Sequence, residues 1–305
     1  CGDLSAAMPD GDTTAGALIA LHRLSPEAPR SQSAAAKGIQ WLLNLQNRDG
    51  GMPAFGKSWK TTHFNTSSPD ITAHALGAMG CWLDSLPKRL RKRTTRAMQQ
   101  ALIYLKTTQH RQGFWTPLCF GHEQTHRQTN PVYGTSRVIT HLAHVPPSLK
   151  ACMNVELIRA TEWLIAVQHP SGPWGGDMAI RASLEESALA VDALATSLIS
   201  HDLLLFDIQT MAIESAVIKG AAWLAKATKR GTAFEPSPIG LYFAHLWYTE
   251  ALYPVTFTLS ALNKARFMLK IQNPVQAGHR TNVVELSARS GRKRKTSKSS
   301  DVMAL

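Results

Sequence analysis

A chain of 305 residues, 44% of them apolar, can bury a substantial core in one or two domains. Its formal charge of +12 is concentrated at one end: from Arg266 onward nine Lys/Arg face two acids, which leaves +5 for the 265 residues before them. No run reaches the roughly 18 uncharged apolar residues of a spanning helix, and the scattered Cys1, Cys81, Cys119 and Cys152 fit neither a zinc spacing nor a disulfide framework.

The first chemistry-bearing stretch is Pro9-Asp10-Gly11-Asp12-Thr13-Thr14-Ala15, at the mouth of an apolar helix over residues 12–24. Pro9 and Gly11 favour a turn, and Asp12 or Thr13 can cap the helix. Spacing alone fits a cap beside a spare acid. The sharper reading is a carboxyl kept protonated by its neighbour and by an apolar cavity, ready to act as a strong acid. A second helix, over 70–83, opens Ser68-Pro69-Asp70-Ile71-Thr72-Ala73-His74 and puts Asp70 and His74 on one face. Further apolar helices are expected over 133–145 and 184–199, the last headed by Glu185 and Glu186 as capping acids.

Between these helices runs a repeat. Lys37-Gly38…Trp41-Leu42…Gln46…Gly50-Gly51-Met52 is followed by Gln100-Ala101…Tyr104-Leu105…Gln109…Gly113-Phe114-Trp115. Next comes Arg159-Ala160…Trp163-Leu164…Gln168…Gly172-Pro173-Trp174, and finally Lys219-Gly220…Trp223-Leu224 without its Gln. The aromatics at 41, 104, 163 and 223 recur at the interval of two helices and their loops. Gly ends each outer helix, Gln ties its last turn to the next loop, and Trp supplies packing area, so these residues are structural. Alternating inner and outer helices give an all-α, α/α-barrel architecture, with about four and a half hairpins. The basic run 88–96 is expected to be a solvated face.

Residues 9–15 resemble the Pro-Asp-x-Asp-Asp-Thr-Ala acid motif of the squalene–hopene cyclases, the class II triterpene cyclases, with Thr13 in place of the third Asp. The helix at 70–74 resembles that family's Asp-Val-Thr-Ala-His segment, and the repeat fits its QW motif. The resemblance implies a protonation-initiated cyclase of squalene or a related polyprene. Asp12 would be the acid, Asp10 and His74 would set its acidity, and Asp70 would orient His74. Tyr133, in a Tyr-Gly-Thr element, would relay water or protons. Trp115, Tyr242, Phe243 and Tyr248 are the candidate substrate contacts, through cation–π attraction. A closed barrel of this type has six hairpins, so the chain is expected to be the C-terminal half of a cyclase, with a missing N-terminal half as partner.

The expected division is a barrel domain over 1–272 and a basic disordered tail over 273–305, solvated or touching anionic lipid, with no nucleic-acid recognition module. No cofactor and no metal are expected: Cys119, His122, Glu123 and His126 could be read as ligands, but a polar surface loop accounts for them equally. The expected location is cytoplasmic and peripheral to a membrane. The rival readings are a non-catalytic repeat scaffold and, more remotely, a protein-prenyltransferase β-subunit-like protein. In a scaffold Asp12 and His74 would be apart or exposed; in a cyclase they would meet in an apolar cavity.

Overall fold

The structure, a computed structural model, describes residues 9–53, 65–200, 207–241 and 246–272. It has two compact units, Cys1–Ala265 and Arg266–Leu305, the second described only as far as residue 272. The expected tail over 273–305 lies outside the described residues.

Helices α1 (Gly11–Leu24), α3 (Pro69–Trp82), α5 (Pro131–Leu142) and α8 (Leu184–Ile199) pack side by side in sequence, forming an inner layer. Helices α2 (Pro29–Leu45), α4 (Lys88–Thr108), α7 (Asn154–Ala166) and α9 (Asp207–Ala227) back them one for one from outside. A short helix, α6 (Pro147–Lys150), precedes α7, and α10 (Leu252–Gln272) closes the described chain. This is the all-α, α/α-barrel architecture expected. The inner helices α3, α5 and α8 are buried around nearly their whole circumference, whereas α1 buries one stripe, as does α4, which turns Lys88, Arg89, Arg91, Lys92 and Arg93 to water. Glycine lets the inner layer close up: a Cβ on Gly80 of α3 would come 2.1 Å from the His144 carbonyl oxygen beyond α5.

The repeat builds the same joint three times. Gln46, Gln109 and Gln168 each donate from Nε2 to the carbonyl of the glycine four residues on, at 2.7–2.8 Å. Each also donates to the next outer helix: to the Ala97, Glu156 and Ala216 carbonyls, at 2.7–3.0 Å. Gln therefore ties outer helix to outer helix as well as to the loop. The glycine has no alternative: Gly113 sits at φ +104°, and a Cβ there would lie 2.4 Å from the Arg159 carbonyl oxygen. Trp115 and Trp174 then run inward, fully buried, with their indoles donating to the Leu105 and Leu164 carbonyls at 2.8 and 2.7 Å. Met52 fills the equivalent slot without a donor. Replacing Gln109 by Ala removes two hydrogen bonds at one joint, and urea denaturation should show a loss of about 1–3 kcal/mol.

Among the described residues five short strands escape the periodicity argument, because two or three residues carry no pattern. β1 (Met52–Pro53) pairs with β2 (Ser67–Ser68) at the head of α3. β3 (Phe120–Gly121), β4 (Ile239–Leu241) and β5 (Leu246–Tyr248) form an antiparallel sheet that carries the late aromatic segment back to the head of α5.

Candidate active site

The site lies where the N-terminal turns of α1, α3 and α5 converge. Asp10, not Asp12 or Thr13, caps α1: its carboxylate accepts from the Thr13 amide at 2.6 Å and the Thr13 hydroxyl at 2.8 Å. Capping leaves Asp12, in the first turn, facing α3, and its Oδ1 meets His74 Nδ1 at 2.6 Å. Two segments 62 residues apart are thereby joined through the pair that the sequence singles out.

The electrostatics differ from the expectation of a protonated Asp12. Burial raises the Asp12 pKa, but the hydrogen bond and charge of His74, together with the Arg137 charge, more than reverse it and leave it below the ordinary value. Its side chain is 42% exposed, so water still reaches it. Burial lowers His74 by more than its bond to Asp12 raises it. The resting pair is a carboxylate accepting from a neutral imidazole. The carboxyl that holds its proton more tightly than usual is Asp70, 2% exposed, with Ser68 donating to Oδ1 and Oδ2 left without a partner. Burial, opposed by Ser68 and reinforced by Asp12, raises it to about 6.

That shift has a sign. A carboxyl whose pKa rises from 3.8 to about 6 on folding binds its proton more tightly when folded, so its contribution is full below 3.8 and is lost as pH rises through 6. Between pH 4 and 8 the stability of Asp70→Asn should gain on the wild type by about 2 kcal/mol, measured by denaturant unfolding at each pH.

α5 presents Tyr133, Arg137 and His141 at successive turns of one face. Tyr133 is buried against Phe120, ring centroids 4.8 Å apart, in a cluster with Leu189, Ile239, Tyr253 and Phe257. Burial raises its phenol well above 10, so it stays protonated. The His141 ring stacks on His74 at 4.2 Å. Below the Asp12–His74 pair a cavity of about 470 Å³ opens between α1, α3, α5, α8 and α10, lined in part by Gly16, His74, Arg137, Leu189 and Phe257. It is not the apolar pocket expected: Arg23, Asp192 and Lys264 also line it. Helix spacing that puts Tyr133 in the site puts Arg137 and His141 there too, a signal present in the sequence but overshadowed by the motif match.

The other candidates divide. Trp115 is fully buried between α4 and α5, with its indole held by Leu105 and its amide donating to Thr135 Oγ1 at 3.0 Å, and it does not line the cavity. Tyr248, on β5, is 38% exposed and also absent from the lining, although Tyr253, Cys119 and Asp12 all act on its phenol. Tyr242 and Phe243 lie outside the described residues. Glu185 and Glu186 do more than sit near a helix start: Ser183 is the cap of α8, Glu185 accepts from the Ser237 amide at 2.9 Å, and Glu186 accepts from Asn130 at 2.8 Å. In the loop read for metal, the His122 ring accepts from the Gln124 amide at 3.2 Å, and among the described residues no three His, Cys, Asp or Glu side chains converge. No helix among the described residues is long and apolar enough to cross a membrane.

The squalene–hopene cyclase C-terminal domain family matches residues 4–267. The chain belongs to that family. It is 27% identical over 188 residues to a probable squalene–hopene cyclase of Sinorhizobium fredii, covering 55% of this chain and 26% of that one. It is 30% identical over 151 residues to the squalene–hopene cyclase of Alicyclobacillus acidocaldarius, covering 45% and 21%. The chain thus spans about a quarter or less of the length of these relatives. Among solved structures, a type II terpene cyclase from Scytonema in complex with merosterolic acid A shares the fold at a TM-score of 0.62, 15% identity, 88% of this chain and 76% of that one. The same cyclase has been solved with geranylgeranyl dihydroxybenzoate as substrate.

Proposed function

We propose that this family member carries out the protonation step of a class II cyclisation, with squalene or a related polyprene as substrate. The observation that supports this reading most is the 2.6 Å Asp12–His74 pair at the head of the cavity. An apolar chain seated over Asp12 displaces its water, which raises its pKa and loads it with a proton. The O–H bond of Asp12 then breaks as a C–H bond forms at the less substituted carbon of the terminal alkene, leaving a tertiary cation. His74 donates to the new carboxylate, and the Arg137 charge stabilises it further. Successive double bonds attack the cation, and loss of a proton or capture of water ends the sequence. Tyr133, buried and protonated beside this pair, relays a proton back to Asp12. The face of Phe257, the aromatic ring in the cavity wall besides the histidines, attracts the travelling charge, at roughly 2 kcal/mol for a desolvated contact.

The reading extends to an N-terminal cyclase half as partner and to attachment at the cytoplasmic surface of a membrane, from which an oily substrate is drawn. The scaffold alternative requires Asp12 and His74 apart or idle. Product analysis of squalene and geranylgeranyl substrates incubated with the complete gene product decides between them: a polycyclic hydrocarbon or alcohol supports the cyclase, and recovery of only linear material supports the scaffold.

A further inference from the structure

An acid that only steadies a helix start can do so from the surface, by attraction to the first amides. The two glutamates at the head of α8 do not sit there. Glu185 and Glu186 are 3% and 2% exposed, and Ser183 already caps the helix. Consecutive residues on a helix point about 100° apart, so the pair reaches two different segments. Glu186 reaches the head of α5: its Oε1 accepts from Asn130 Nδ2 at 2.8 Å, and Ser183 Oγ donates to its Oε2. Asn130, itself fully buried, caps α5 by accepting the Tyr133 amide on Oδ1 at 3.0 Å. Glu185 reaches the segment that enters β4. Both its oxygens accept from Ser237, from the amide at 2.9 Å and from the hydroxyl at 2.8 Å. Two residues beyond Ser237, Ile239 packs in the Tyr133 cluster. Leu241 of the same strand pairs with Phe120, whose ring lies 4.8 Å from that of Tyr133. Tyr133 is thus held from two sides, its backbone through Glu186 and its ring through Glu185. Burying two adjacent carboxyls costs free energy that packing alone does not return, and here the hydrogen bonds that offset it all lead to Tyr133 or to α8's own cap.

We propose that Glu185 and Glu186 are positioning residues that fix the Tyr133 phenol for its proton exchange with Asp12. A phenol free to turn would meet the acid only part of the time, and a misplacement of about 1 Å can cost about 10²-fold in rate. Clamping both the start of α5 and the wall against the ring removes that freedom. The inference rests on the cyclase reading for what Tyr133 does, while the brace itself is read without turnover.

The first readout is fluorine NMR of the full chain labelled with ring-fluorinated tyrosine. Its five tyrosines give five signals, and that of Tyr133 is the one lost in Tyr133→Phe. Glu186→Ala and Glu185→Ala should each shift or broaden the Tyr133 signal. Glu186→Gln, which keeps an oxygen for Asn130, should restore it. Ser237→Ala removes only one of the two bonds to Glu185 and carries the test where an Ala variant at either glutamate fails to fold. The second readout is turnover of squalene or geranylgeraniol, whichever the wild type cyclises. Glu186→Ala should lower kcat about 10–100-fold with KM within about threefold. In a Tyr133→Phe background the same substitution should cost about twofold or less, whereas general damage to the fold would cost the same in both backgrounds. A Tyr133 signal unmoved in all three brace variants, or a turnover loss undiminished by Tyr133→Phe, would overturn the proposal. A moved signal in a chain that cyclises no polyprene would instead sink the cyclase reading and leave the brace standing.

Discussion

Asp12→Asn should abolish product formation, with a fall in turnover of at least 10²–10⁴-fold, the range a positioned general acid contributes. The amide is nearly isosteric and can still meet His74 Nδ1, so the 2.6 Å contact can persist in altered form while the transferable proton is gone. Substrate affinity should change little, because the amide keeps the size and polarity of the carboxyl and the rest of the cavity is untouched. The measurement is product yield by gas chromatography beside the wild type, with binding followed separately. His74→Gln should show an intermediate loss, because it removes the group that lowers the Asp12 pKa but leaves the carboxyl in place. A variant with wild-type yield would exclude Asp12 as the donor and turn attention to Asp70, the buried carboxyl that holds a proton near pH 6.

The second large effect concerns folding. Trp115→Ala should cost about 3–5 kcal/mol in urea denaturation, through the cavity left by a fully buried indole and the orphaned Leu105 carbonyl. Trp174→Ala, at the equivalent joint, should behave alike. Trp115→Phe should recover most of the packing but not the hydrogen bond. The wild-type product pattern should survive in whatever folded Trp115→Phe protein remains, because the side chain does not line the cavity. A changed product pattern would restore Trp115 as a substrate contact.

Much of the site was legible in residue order. The Asp10–Asp12 turn and the Asp70–His74 helix face announced an acid and its partner, because helix periodicity fixes which side chains share a face. The cap, expected at Asp12 or Thr13, falls to Asp10, and the choice depends on whether α3 offers Asp12 something better than the amides of its own helix. His74 does. The state of each carboxyl was also closed to sequence reading, since burial and charge come from neighbours on other helices. Asp70 rises because it is enclosed without a full set of partners, while Asp12 falls because His74 and Arg137 reach it.

By itself the sequence determined the layering of this protein, the heads of its inner helices and the three repeated Gln–Gly joints. Each of these rests on local periodicity or on a glycine that alone tolerates its φ and its closeness to the next helix. Only the tertiary structure decided what faces the cavity. A charge such as Arg137 is read as solvated until the packing of the inner helices and α10 sets it in the cavity wall, where it acts on Asp12, and that placement depends on helices far apart in the chain.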